Sequence, residues 1–200
     1  MYSFRIEQAI RASALLHAGQ VRKGRIPYPY ITHLYSVAAL IADYTDDEDI
    51  VIAGLLHDAI EDTEYTLAEL QEDFGKRVRE IVREVSIEQV EQECSVREQW
   101  RIEHTAYVSQ LKNASKEALI VASADKIHNM RSTIEEYYER YDEFREHFGG
   151  SLEERLAIYQ GISNILNSKL NNDIVHEFNH VFDEYKKFIH DAKITEEKSF

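Results

Sequence analysis

Residues 50–56 read IVIAGLL, and His57, Asp58, Ala59, Ile60, Glu61 and Asp62 follow. Apolar side chains at Ile50, Val51, Ile52, Ala53, Leu55, Leu56, Ala59 and Ile60 leave almost no polar face on a helix over 48–62. Such a helix is stable only when other elements cover it on every side. The TDDED run at 45–49 supplies its N-cap and an acidic first turn, where the helix dipole favours anions. At the far end the pattern reverses. Positions four apart share a face, so His57 is expected over Glu61 and Asp58 over Asp62, one polar stripe on an apolar helix. Three carboxylates at a helix C-terminus stand where the dipole disfavours them. Left to solvent they are modestly destabilising; a bound cation would reverse the sign. Imidazole with carboxylate suits Mn, Fe or Zn.

The covering elements are predicted to be helical. The 200 residues hold only 7 Gly and 2 Pro, and Ala, Leu, Ile, Glu and Arg are plentiful. Periodicity and stop signals predict helices over 3–18, from Thr32 or His33 past Tyr44, from a Thr66/Glu69 capping box to Gly75, and around Val78, Ile81, Val82 and Val85. Further helices are predicted over 100–112, 116–140, 152–169 and 172–191. Residues 20–31 hold both prolines and read as a loop. Segment 86–99 is expected to be a mobile insertion or loop, and 192–200 a frayed tail. The expected fold class is all-α, about eight helices in one domain over 1–200.

Charge narrows the partners. The net charge is −14, from 23 Lys and Arg against 37 Asp and Glu. That surface repels nucleic acid and anionic membranes, so neither is expected as a partner. A phosphorylated small molecule needs a metal or a local basic cluster to offset the field, and the 20–31 loop carries Arg22, Lys23 and Arg25. Cys94 stands alone, which excludes an internal disulfide and a cysteine-based zinc site. Arg5, Glu7 and Arg11 interrupt the first helix, and no apolar stretch approaches roughly 18 residues. Neither a signal peptide nor a membrane span is expected, and the location is expected to be cytoplasmic. Oligomer formation is left open.

Two more residues share the unusual chemistry. His33 opens a helix directly after the basic loop. Asp125 interrupts the apolar run ALIVASA, where an unpaired carboxylate is costly; it is either paired with Lys126 or His128, or a metal ligand. The segments HAGQVRKG (17–24), PYITH (29–33), LLHDAIEDTEYT (55–66), FGKRVREIVREVS (74–86) and ADKIHNMR (124–131) together resemble the HD-domain metal phosphohydrolases. Within them the likeness is to the hydrolase domain of RelA/SpoT-type enzymes and to stand-alone small alarmone hydrolases of the stringent response, over about residues 5–135.

The resemblance implies an HD-domain bundle around a metal site, with His33, His57, Asp58 and Asp125 as ligands, usually of Mn²⁺, another divalent transition metal being an option. It implies Glu61 and Asp62 as a catalytic acidic pair, Arg22 and Lys23 as a substrate loop, and Asn129, Arg131 and Tyr159 towards the nucleotide. The implied reaction is hydrolysis of the 3′-pyrophosphate of guanosine tetra- or pentaphosphate to GDP or GTP and pyrophosphate. The chemistry is coherent. A bound metal makes hydroxide available near neutral pH, a carboxylate one turn on serves as general base, and Arg22, Lys23 and Arg131 neutralise phosphate. The chain departs from the family at Leu34, where Pro is common, in segment 86–99, and in the two prolines of RKGRIPYPY.

Other readings compete. A different nucleotide, NADPH or a nucleoside monophosphate, would use the same centre. His176-Glu177-Phe178-Asn179-His180 matches the zinc-protease pattern H-E-x-x-H, but Ile174, Phe178, Val181, Phe182 and Tyr185 fit an ordinary amphipathic packing helix. A non-enzymatic helical binding module would use Tyr137, Tyr138 and Tyr141 as an interface patch. Trp100 reads as a core anchor, and His104, His128 and His147 as surface or satisfied groups, His128 standing out because it follows Asp125 by three.

Overall fold

The computed structural model describes residues 3–87, 95–148 and 152–198. Regular structure among them is helical, apart from an isolated antiparallel bridge between Val21 and Pro29. In chain order the helices are α1 (Phe4–Leu16), α2 (Ile31–Ala42), α3 (Glu48–Leu56), α4 (Ala59–Asp62), α5 (Leu67–Phe74), α6 (Lys76–Val85), α7 (Val96–Leu111), α8 (Lys116–Tyr137), α9 (Tyr141–Phe148), α10 (Leu152–Lys169) and α11 (Ile174–Lys198). Ser3, Asp47, Thr66, Ser95 and Ser115 each cap a helix by accepting a backbone N–H two or three residues on, the placement these short polar side chains favour.

Two helices carry the core. All residues of α3 from Ile50 to Leu56 are buried, as its apolar circumference requires. The first half of α8, Ala118 to Asp125, is buried without interruption, and α8 packs against α2, α3, α6 and α11. α2 lies close on α3 because Gly54 carries no side chain: a Cβ there would meet Ile41 Cδ1 at 2.4 Å. No helix among the described residues is long and apolar enough to cross a membrane.

Several helix limits differ from the periodicity, which is why more helices are present than about eight. The helix expected over 48–62 is two, α3 and α4, with His57 and Asp58 in a turn between them. His57 Nδ1 bonds Gly54 O at 2.8 Å, and Asp58, at φ −92° and ψ −5°, lies where turns rather than helices sit. The helix expected over 116–140 ends at Tyr137, and Glu139 takes φ 58°. That reversal sends α9 back over the core, where Phe144 meets Tyr137 at 5.7 Å and Phe188 of α11 at 5.1 Å between ring centroids. It also divides the suggested tyrosine patch: Tyr137 is 1% exposed and Tyr138 63%.

The loop expected over 86–99 ends earlier than predicted. α7 starts at Val96 because Ser95 caps it by accepting Glu98 N–H; residues 88–94 lie outside the described residues. The tail expected to fray continues α11 to Lys198, with Ala192 buried and Lys193 paired to Glu153 at 2.5 Å. Leu119, wholly buried at the start of α8, tests how far this core is shared. Leu119→Ala is expected to lower the unfolding free energy by about 2–5 kcal/mol, read as a fall in urea midpoint at constant m-value.

Candidate active site

Three parts of the fold bring the centre together. His33 sits in the first turn of α2, His57 and Asp58 in the turn between α3 and α4, and Asp125 midway along α8. His33 Nε2 lies 3.3 Å from Asp125 Oδ1 and 3.6 Å from Asp58 Oδ2. His57 Nε2 lies 3.2 Å from Asp58 Oδ1 and 3.7 Å from Asp125 Oδ1. One donor atom from each of His33, His57 and Asp58 falls within 4.8 Å of the others.

The hydrogen bonds around these groups decide which lone pairs face inward. A carbonyl only accepts, so the His57 bond to Gly54 O puts the proton on Nδ1 and leaves Nε2 as the inward atom. That Nε2 is buried and makes no hydrogen bond. His33 Nδ1 meets His128 Nδ1 at 2.9 Å; with His33 as donor, its Nε2 also turns towards the carboxylates. Tyr30 donates its hydroxyl to Asp58 Oδ2 at 2.7 Å. Asp125 receives Asn129 Nδ2 at 2.6 Å on Oδ1 and Lys126 Nζ at 2.6 Å on Oδ2.

Two imidazoles and two carboxylates gathered in one buried cluster demand positive charge among them, which a proton on His57 or a bound cation can supply. The acidities show the demand. Burial pushes His57 down, but the Asp58 charge and the contact with Asp125 outweigh it and carry the ring up to about 9. Burial lowers His33, against the pull of Asp125. Burial would raise Asp125, yet the Lys126 ammonium and the two histidines hold it well below the usual carboxylate range. A divalent cation would meet the same demand, and the orphaned His57 Nε2 with its N and O neighbours is a donor set that fits a transition metal.

The acidic pair divides. Glu61 borders the small cavity that the four groups line, of about 110 Å³. Its Oε1 accepts Ile87 N–H at 2.7 Å, and burial, then the Asp58 charge, lift its carboxyl to about 7. Asp62 faces solvent outside that cavity, raised in the same direction by partial burial and Asp58.

Arg22, Tyr30, Lys126 and Asn129 border both this cavity and a second of about 630 Å³. The larger one adds Lys23, Arg97, Trp100, Arg155 and Tyr159. Arg22 reaches Asp125 through Asn129, donating to Asn129 Oδ1 at 2.6 Å. Arg131 does not join them. It lines neither cavity, and its guanidinium binds Glu177 of α11. At about 100° per residue, a position six past Asp125 faces about 240° around α8. His176 and His180 are exposed on α11, so with Glu177 taken by Arg131 the H-E-x-x-H segment builds no cleft. Trp100 is half-buried in the cavity wall rather than a core anchor, stacked on His104 at 4.3 Å with the Arg155 guanidinium at 4.9 Å. His147 has no described side chain.

Sequence reasoning missed Tyr30, the role of His128, and Gln20, whose amide holds Asp62 O at 2.8 Å. All three lie within the segments that drew attention. Trp100 and Arg155 gave no local signal.

An all-α bundle with two histidines and two aspartates converging on a buried point defines a candidate metal centre. Residues 9–162 match the HD domain family, and the chain belongs to it. It is 38% identical over 117 residues to guanosine-3′,5′-bis(diphosphate) 3′-pyrophosphohydrolase of Haemophilus influenzae, covering 58% of this chain and 17% of that protein. It is 36% identical over 126 residues to the human enzyme of the same name, MESH1, covering 62% of this chain and 66% of that protein. The chain thus spans less than two thirds of either relative. Its fold is similar to that of a metazoan ortholog of SpoT that hydrolyzes ppGpp, with TM-score 0.72, 22% identity, and coverage of 92% of this chain and 97% of the other.

His128 sets the His33 ring without reaching the centre itself. His128→Phe is expected to weaken divalent-metal binding about 10–100-fold, measured by calorimetric titration with Mn²⁺ beside the wild type.

Proposed function

We propose that the chain is a cytoplasmic, divalent-metal-dependent phosphohydrolase that cleaves the 3′-pyrophosphate from guanosine tetra- or pentaphosphate, giving GDP or GTP and pyrophosphate. The observation that carries this reading is the buried cluster of His33, His57, Asp58 and Asp125, in which His57 Nε2 makes no hydrogen bond, lining a small cavity that shares Arg22, Tyr30, Lys126 and Asn129 with a larger, cation-lined one. The first suits a metal; the second suits a polyphosphate. The names of the relatives in Haemophilus and human support the substrate.

His33, His57, Asp58 and Asp125 would hold the metal, Mn²⁺ in this reading. When bound, it supplies Lewis acidity that lowers the cost of ionising water near neutral pH and draws charge from the phosphoryl group. The chain supplies the rest. Glu61, its carboxyl lifted to about 7 and its Oε1 fixed by Ile87 N–H, takes a proton from the attacking water. Water oxygen bonds to the phosphorus on O3′, the phosphorus–O3′ bond breaks, and O3′ leaves with the proton that Glu61 took from the water. Lys126 and Arg22, bordering both cavities, neutralise charge that builds on the phosphoryl oxygens. Lys23 and Asn129 hold the nucleotide, and Tyr159 lines the larger cavity with them.

The test is pyrophosphate release from guanosine tetraphosphate with Mn²⁺, wild type beside Asp58→Ala. The variant is expected to lose at least about a hundredfold in turnover, more than the loss of an outer partner costs, together with its bound metal. Wild-type protein that binds Mn²⁺ but leaves this substrate intact would move the reading to another nucleotide.

A further inference from the structure

A polar seam runs from the small cavity into the larger one, and the proposed reaction leaves its far end unused. Asp125, Asn129, Ser132, Thr133 and Glu136 stand at i, i+4, i+7, i+8 and i+11 of α8, on one face of the helix. Asp125 lines the small cavity, Asn129 borders both, and Ser132, Thr133 and Glu136 line the large one. Eleven residues separate the Asp125 and Glu136 backbones by about 16 Å, and side chains lean towards the helix N-terminus.

Glu136 is the only carboxylate among the described residues lining the large cavity, against Arg22, Lys23, Arg97, Lys126 and Arg155. It is held in place. Its Oε2 accepts Arg25 N–H at 3.0 Å, and its backbone carbonyl accepts from the Arg25 guanidinium at 3.3 Å. Gly24 makes the approach feasible, since a Cβ there would lie 2.4 Å from that oxygen. One N–H uses one of about four lone-pair directions of a carboxylate, which leaves room for two further donors. Tyr30, Trp100 and Tyr159 make the wall of the same cavity aromatic as well as cationic.

We propose that Glu136 selects guanine, its carboxylate accepting N1–H and the N2 amino group of the base while the 3′-phosphates lie towards Asp125. The assignment rests on the nucleotide reading above and adds the base to it. Guanine presents two adjacent donors on that edge, a match for two carboxylate oxygens. Adenine presents a lone pair at N1 beside a single amino donor, and that lone pair would face the carboxylate. Sites built on such pairing reject the mismatched partner strongly. For the half-buried Glu136 a preference of about 100-fold is expected.

Glu136→Gln separates the base from the fold. Its amide oxygen can still accept Arg25 N–H, while the amide as a whole can donate to adenine N1 and accept from N6. The experiment titrates guanosine 3′,5′-bis(diphosphate) and its adenosine counterpart into EDTA-treated wild type and E136Q by calorimetry, with thermal melting as the fold control. Pyrophosphate release with Mn²⁺ is measured in parallel. Wild type is expected to bind the guanosine nucleotide about 100-fold tighter, and E136Q to bring the two within about tenfold at an unchanged melting temperature. Equal binding of both by wild type, binding of neither, or an unchanged ratio in E136Q overturns the assignment. Guanine-selective binding without pyrophosphate release leaves Glu136 as the base reader and overturns the hydrolase reading instead.

Discussion

The ionised carboxylate of Asp125 is the constraint around which the rest is arranged. It stands at the end of a wholly buried half-helix, and taking a carboxylate out of water costs several kcal/mol even after the protein relaxes. The structure meets that cost with neighbours rather than with neutralisation. Lys126 Nζ at 2.6 Å and Asn129 Nδ2 at 2.6 Å occupy both oxygens, and His33 Nε2 stands at 3.3 Å. Each neighbour is tied to another element. Asn129 accepts from Arg22 of the basic loop, Lys126 lies over the Tyr107 ring of α7 at 5.0 Å, and His33 leans on His128. One buried charge thus fixes the relative positions of the loop, α2, α7 and α8. Removing Lys126 would take away the nearest compensating charge.

The break between α3 and α4 solves a second problem. Adjacent residues of a continuous helix point about 100° apart and do not face one another, so His57 and Asp58 could not both address one point from a helix over 48–62. With Asp58 turned to φ −92° and ψ −5°, its Oδ1 comes to 3.2 Å from His57 Nε2. Gly54 contributes twice. Its carbonyl orients the His57 ring, and its missing Cβ lets α2 press against α3, bringing His33 within a ring separation of 5.3 Å. The apolar circumference of α3 is what holds this turn still, because every residue before it is packed.

Much of this was legible in the residues. His57 and Asp58 stand out because ionisable groups end an apolar helix, and Asp125 because it interrupts an apolar run; both signals are local. The all-helical architecture follows from the scarcity of Gly and Pro. The break after Leu56 was not legible, since residues 57 and 58 include no breaker and the turn is held by a bond that only the folded His57 makes. Arg131 shows a different failure. A likeness of sequence puts it beside Asn129, but two residues along a helix change direction by about 200°, and Glu177 receives it on the far side. The Ser95 cap was a readable signal, overshadowed by the polar stretch before it. Trp100 and Arg155 meet across a gap of 55 positions, a tertiary fact with no trace in either neighbourhood.

Net charge and local charge then part company. A chain at −14 repels phosphate at long range, yet the cations around its large cavity come from four separate elements: Arg22 and Lys23 from the loop, Arg97 from α7, Lys126 from α8 and Arg155 from α10. None is part of a basic run long enough to bind an anion alone. They converge only because α10 packs against both α7 and α8. Within about 10 Å, the screening length at ordinary salt, such a cluster outweighs the distant acidic surface. Affinity for a polyphosphate is therefore a property of the assembled fold, and composition, which speaks only for the far field, points the other way.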